Sequence, residues 1–322
     1  MHILVYGAGA IGSLVGALLS KEHEVILLGR KEHMQAIRKD GLRVTGLTRM
    51  HIYLETTTTL GEVNGKIDLV ILTVKSYDTH SAANELAKNL KPSQLLSIQN
   101  GLNNANILER YLGKTRLVFG TTSQGVTFVK PGEVRHAGLG RTVVGCMRNE
   151  DFETATQVCD LLSSCGLKTE LTDNIIGEIW AKAIVNACIN PLTVILRCEN
   201  GRLLGLPEVM SVMKKCSDEC EAVAKAKGIM LPTPDMYRYT VDVASQTASN
   251  HSSMLQDIEK GKPTEINGIT GVIVSAGKKF KVQTPVNFTL LQLVKGIEAL
   301  NKKVHNAFDC NQSATNVKSY FS

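Results

Sequence analysis

The chain opens with a short apolar run, "HILVY", and passes at once into "GAGAIGSLVGALL". Gly7, Gly9 and Gly12 thus stand in the G-x-G-x-x-G pattern between a strand and a helix, an arrangement that few folds accommodate. The first glycine permits a tight turn, the second lets backbone approach a pyrophosphate, and the third lets the helix pack against the sheet. The helix start adds N–H donors for phosphate, so Gly7, Ala8, Gly9, Ala10, Ile11 and Gly12 form a candidate dinucleotide-binding turn. A purely structural glycine turn is the competing explanation, and the flanking strand and helix argue against it.

The following segments fit the same fold. Short β-branched runs ("EVILL", "DLVILTV", "LLSI", "RLVFGT") alternate with helical stretches ("THSAANELAKNL", "NANILERYL"), the pattern of a doubly wound, mostly parallel sheet covered on both faces. From about residue 124, "GVTFV" and "GEVRHAG" flank Pro131-Gly132 and predict an antiparallel hairpin, with "RTVVG" as a further strand. Beyond "KTEL" the strand signals stop. Residues 173–301 read as successive helices broken at Asn190-Pro191, Leu206-Pro207, Gly228 through Pro234, Lys262-Pro263 and Thr284-Pro285. The expected organisation is an α/β dinucleotide-binding domain over 1–172 and an all-helical substrate-binding domain over 173–322. The polar tail 304–322 has no apolar period and is expected to fray.

Composition removes other classes. The net charge of +6 comes from dispersed lysines and arginines, and aromatic residues are only 5% of the chain, so neither a basic face nor stacking rings for nucleic acid are indicated. No apolar run reaches the roughly 18 residues of a membrane span, and no leader precedes the first strand, which points to the cytoplasm. The eight cysteines lack C-x2-C spacing; reduced thiols and no metal site are expected.

The second strand selects the dinucleotide. An acidic residue roughly 20 positions past the glycines holds the ribose of NAD, whereas arginine accommodates a 2′-phosphate. Here the strand ends "EVILLGRKEH", with Arg30 in that place and Lys31 beside it, so NADPH is the expected cofactor. A solvated basic turn is the alternative, and Glu32 weighs toward NADH. Lys75, Asn100 and Thr121-Thr122 follow successive strands, at the sheet edge where such folds bind ligands.

In the helical half, "WAKAIVNACINP" sets Lys182, Asn186 and Asn190 at i, i+4 and i+8, on one face of a helix. Hydride addition to a ketone leaves negative charge on oxygen, and a desolvated lysine is a fitting proton donor for it. The asparagines could hydrogen-bond substrate oxygens. The alternative is a lysine that snorkels to water with asparagines that cap or face solvent. His136 and His251 are further acid–base candidates without an obvious carboxylate partner.

"IWAKAIVNACINPLTVI", "CENG" and "NHSSMLQDIEKGKPTEING", together with "GAGAIG", "LTVKSYDT" and "QNGL", resemble the signature of the ketopantoate reductase family over about residues 1–300. That resemblance implies a Rossmann domain, a helical domain, and reduction of the small 2-oxoacid 2-dehydropantoate to (R)-pantoate with NADPH. It implies Lys182 as proton donor, Asn186, Asn190, Asn200, Asn250 and Ser253 about the substrate, with Ser253 on its carboxylate. Glu265 is implied near the reacting hydroxyl and the nicotinamide, and Lys75, Asn100 and Val126 match cofactor positions. Two departures stand out. Gln99 replaces a histidine common in relatives, leaving that side chain without an assigned role, and the glycine and proline of "EKGKPTEI" unsettle the approach of Glu265. Pro263-Thr264 mark a helix start that would place Glu265 in a first turn, where capping is its plainer use; Ser252-Ser253 could likewise cap "MLQDIEK". A reductase of another branched 2-oxoacid and a non-catalytic dinucleotide sensor remain alternatives, and a helical second domain could pair as a homodimer.

Overall fold

The structure, a computed structural model, describes the backbone of residues 1–317 and side chains through Asn301. Of the tail over 304–322 that was expected to fray, the backbone to Val317 continues the final helix, and residues 318–322 lie outside the described residues. Contacts divide the chain into units Met1–Ile179 and Trp180–Ser322.

The first unit contains β1 (His2–Tyr6), α1 (Ala10–Leu19), β2 (Glu24–Leu28), α2 (Lys31–Asp40), β3 (Leu42–Gly46), β4 (Met50–Ile52), β5 (Glu55–Thr57), β6 (Leu69–Leu72) and α3 (Thr79–Asn89). It continues with β7 (Gln94–Ser97), α4 (Asn104–Leu112), β8 (Arg116–Thr122), β9 (Gly125–Lys130), β10 (Glu133–Gly138), β11 (Thr142–Cys146), α5 (Phe152–Ser164) and β12 (Thr169–Leu171). Eight strands form the main sheet in the order β12-β11-β8-β7-β6-β1-β2-β5. Every pair is parallel except β11 with β8. From β5 to β8 this is the strand order of dinucleotide-binding domains, with the reversal between β1 and β6.

Alternate residues of the strands feed opposite cores, which is why the runs are apolar throughout. Ile3 and Val5 of β1 join Leu14, Leu18, Met34, Val158 and Leu162 on one face. Leu4 turns the other way, to Val70, Leu86, Leu108 and Phe119.

A second sheet, β4-β3-β10-β9, holds the expected hairpin, with β9 and β10 antiparallel. Its partners β3 and β4 carry no signal strong enough to read locally. They are three to five residues long with half their side chains outward, and β3 pairs with β10 about ninety positions later in the chain.

His33 on α2 ties this unit together. Its Nδ1 accepts from Gly132 N–H at 2.9 Å, so the ring proton lies on Nε2, 2.9 Å from Ser13 Oγ. Burial pushes the imidazole down to about 4 from 6.5. The unfolded chain therefore binds the extra proton first as pH falls. Stability linked to His33 is complete above about pH 6.5 and drains away toward about pH 4, a loss of about 3 kcal/mol. Denaturant titrations over that range should show this decline, and His33→Gln should flatten it; an unchanged slope would contradict the linkage.

The second unit is helical, as expected: α6 (Ile175–Leu196), in which the division falls, α7 (Pro207–Ala226), α8 (Met236–Gln246), α9 (Ser253–Glu259), α10 (Val272–Phe280) and α11 (Pro285–Val317). The breaks at Pro207, 228–234, Pro263 and Pro285 all separate helices. The one at Asn190-Pro191 does not, because α6 runs through Pro191 to Leu196. Proline withholds the N–H that would reach Ala187 O, and Cys216 Sγ supplies a replacement at 3.6 Å. Thr193 Oγ1 donates to Asn190 O at 2.8 Å in the same turn.

With that continuity, α6 is long and apolar enough to cross a bilayer by length and composition, against the expectation that no run is. It is a core helix, with 72% of its most apolar window buried. The seven described cysteines are free thiols.

Candidate functional site

At the dinucleotide turn the three glycines are required for three different physical reasons. Gly7 has φ +110°, and a Cβ there would lie 2.5 Å from Val74 N. At Gly12 a Cβ would lie 2.6 Å from both Gly7 O and Thr73 Oγ1. Around Gly9 the space is open, the nearest atom to an added Cβ being Gly7 O at 3.8 Å, and the residue is exposed. That clearance is what a pyrophosphate needs. Gly7 and Ala8 N–H both donate to Leu28 O at 2.9 Å, holding the turn against β2. The first turn of α1 has neither an acidic residue nor a side-chain cap, so the positive end of its dipole faces the turn uncompensated. A dinucleotide phosphate fits this cradle.

Arg30 is exposed at the N-cap of α2, one residue beyond Gly29 at the carboxyl end of β2. Lys31 and Glu32 are exposed beside it. Because β2, β1, β6 and β7 are parallel neighbours, their carboxyl ends bring Arg30, the glycine turn, Lys75 and Asn100 to one edge. Lys75 precedes a 3-10 turn over Ser76–Asp78, and both it and Asn100 are half-buried. Val126 is half-buried on β9, in the second sheet. Thr121 and Thr122 are not loop residues; they are buried within β8, and Thr122 Oγ1 pairs with Thr142 Oγ1 at 2.9 Å.

Gln99, left without a role by the sequence, is the buried tie behind this edge. Its Nε2 donates to Val74 O and Thr79 Oγ1, each at 2.8 Å, and Ser97 Oγ donates to its Oε1 at 3.0 Å. It thereby fixes the Lys75 segment against the segment that carries Asn100.

In the helical unit, α6 presents Lys182 and Asn186 half-buried and Asn190 only 4% exposed. Burial pushes the Lys182 ammonium down to about 8 from 10.5, with the Glu265 carboxylate pulling the other way. Glu265 is 5% exposed. It stands two residues before a π turn, Asn267–Gly271, that leads into α10, so the expected regular first turn is replaced by a wider one. Ile269 N donates to Glu265 O and Gly271 N to Ile266 O, the second spanning five residues. Single π turns of this kind often occur at functional sites.

Asn190 Nδ2 is buried without a hydrogen-bond partner, and so is Asn200 Oδ1. Such orphans cost roughly 1–3 kcal/mol each unless a ligand completes them. Asn200 Nδ2 donates to Thr247 Oγ1 at 2.9 Å, and its N–H donates to Asn250 O at 3.0 Å, which joins two of the expected substrate residues through backbone.

Ser252 is the cap of α9, accepting from Leu255 N at 3.1 Å. Its Oγ also pairs with Thr193 Oγ1 on α6 at 2.7 Å, one turn from Asn190. Ser253 is left exposed at the adjacent position. His136 is buried between Thr48 Oγ1 at 2.8 Å and Gln124 Oε1 at 3.0 Å, while exposed His251 does have a carboxylate partner, Glu259 at 3.2 Å.

Residues 3–149 match the family model described as Ketopantoate reductase PanE/ApbA, and residues 174–298 match Ketopantoate reductase PanE/ApbA C terminal. A 2-dehydropantoate 2-reductase of Pyrococcus horikoshii is 39% identical over 301 residues, 93% of this chain and 98% of the relative. A PanE/ApbA family ketopantoate reductase structure from Ralstonia eutropha aligns with a TM-score of 0.86 at 33% identity, covering 94% of this chain and all of that one. D-mandelate dehydrogenase, solved with NADH and anilino(oxo)acetate, aligns with a TM-score of 0.88 at 28% identity, covering 94% of this chain and 100% of that one.

Proposed function

This chain belongs to the ketopantoate reductase family, oxidoreductases acting on a CH–OH group, and from that membership we propose that it reduces 2-dehydropantoate to (R)-pantoate with NADPH. The product feeds pantothenate and coenzyme A synthesis. The observation that carries the reading is the α6 face, where a desolvated ammonium, an opposing carboxylate and an unsatisfied buried amide meet the needs of a reacting 2-oxoacid.

When bound, NADPH supplies a hydride to the substrate carbonyl carbon. Gly7 to Gly12 would hold the pyrophosphate on the α1 N-terminus, Arg30 would donate to the 2′-phosphate, and Lys75 and Asn100, braced by Gln99, would border the cofactor. Lys182 stabilises the charge growing on the substrate oxygen and delivers its proton there. Glu265 keeps that lysine charged against desolvation and orients the hydroxyl formed. Asn186, Asn190, Asn200, Asn250 and Ser253 hold the substrate, with Ser253 on its carboxylate.

Mixing the protein with NADPH and 2-dehydropantoate should give steady loss of nicotinamide absorbance. The working form of Lys182 is protonated, so the rate should fall as pH rises through about 8. No consumption with this or any branched 2-oxoacid would leave a dinucleotide sensor.

A second reading rests on the likeness to D-mandelate dehydrogenase: the same groups would serve another 2-oxoacid, with NADH. Initial rates over a panel of 2-oxoacids with both cofactors separate the two.

A further inference from the structure

At the amino edge of the main sheet, opposite the glycine turn, three metal-ligating side chains converge that the reductase reading does not use. Glu22 and His23 lie in the turn between α1 and β2, and both N–H groups donate to Leu19 O, at 3.2 and 3.1 Å, which fixes the turn. Cys165 caps the end of α5 and is 3% exposed. One ligand atom from each of the three lies within 4.8 Å of the other two. We propose that Glu22, His23 and Cys165 form a binding site for a zinc-class divalent cation.

The chemistry is that of zinc, which takes thiolate, imidazole and carboxylate together and completes a tetrahedron with water. Bonds of about 2.0–2.3 Å place ligand atoms roughly 3.5 Å apart, so small rotations of these side chains close the set. A second observation points to a ligand: His23 Nε2 is buried without a hydrogen-bond partner. A third concerns charge. Both α1 and α5 end at this place, directing the negative ends of two helix dipoles toward it, and Glu22 adds a full negative charge. Lys21, the cation beside Cys165, is exposed and can turn to solvent.

Coordination releases the thiol proton to solvent and joins positions 22–23 to 165. The ion is therefore a clip on the first unit, remote from the dinucleotide edge. Spacing alone does not show it, because the ligands come from two distant turns.

Cobalt(II) chloride titrated into the reduced full chain reads the site directly. The expected result is a thiolate-to-cobalt charge-transfer band that saturates at a single equivalent and is bleached by zinc chloride. Cys165→Ser should abolish it, with circular dichroism reporting that the variant is folded. His23→Gln and Glu22→Gln, both in a surface turn, should each weaken zinc binding at least about tenfold, since losing even an outer partner costs about 10–100-fold. The proposal is overturned by the absence of a thiolate band, by a band that Cys165→Ser leaves intact, or by unchanged zinc affinity in both turn variants.

Discussion

Lys182→Ala should lower kcat for 2-dehydropantoate by about a thousandfold or more, while NADPH affinity, read by fluorescence titration, stays within about twofold. The size follows from two losses at one atom: a positioned general acid is worth about 10²–10⁴ in rate, and a charge at the developing oxyanion about 10²–10³. The two effects overlap, so they do not multiply fully. The substitution leaves the residues proposed to hold the nucleotide unchanged. Lys182 is on α6 in the Trp180–Ser322 unit, whereas the glycine turn and Arg30 are in Met1–Ile179.

A Lys182→Arg variant divides the roles. Guanidinium keeps a cation at the oxygen but holds its proton too tightly to give it up, so activity should recover in part and lose its decline near pH 8. Wild-type turnover in Lys182→Ala would remove the lysine from the mechanism.

Arg30→Ala should raise KM for NADPH by about 10–100-fold and leave KM for NADH nearly unchanged. Charge-assisted hydrogen bonds to a phosphate are worth about 1.5–3 kcal/mol, and NADH lacks the group that makes them. The exposure of Arg30 at the end of β2 places this value toward the lower end, since water screens the pair. Initial rates at varied cofactor concentration measure it. Equal KM shifts for both cofactors would mean that Arg30 is a solvated turn residue and that NADPH is selected elsewhere or not at all.

What could be read from the sequence depended on whether the determining contacts were local. The glycine turn, the alternation of strands and helices and the Lys182–Asn186–Asn190 stripe are written within short runs, and they account for the main sheet apart from its edge strand β5 and for α6 as far as Asn190. The second sheet does not, because β3 and β4 become strands only by pairing with β10. Pro191 reads as a helix end for the same reason: the Cys216 thiol that donates to the freed Ala187 carbonyl comes from α7.

Site residues divide similarly. Asn190 was visible by spacing, but its unsatisfied buried amide is a property of packing. The role of Gln99 lies in its contacts with Val74 and Thr79, which are 25 and 20 positions away in the chain. Only the family resemblance points to Glu265, and its setting before a π turn is not legible in Pro263 and Thr264, which signal an ordinary helix start.

The most direct test of the account is a structure of this chain with NADP+ and pantoate, measuring the distance from Lys182 Nζ to the 2-hydroxyl oxygen. The account predicts hydrogen-bond contact, about 2.6–3.2 Å, with Asn190 Nδ2 also bound to the ligand. A lysine turned to bulk solvent, with another group on that oxygen, would contradict it.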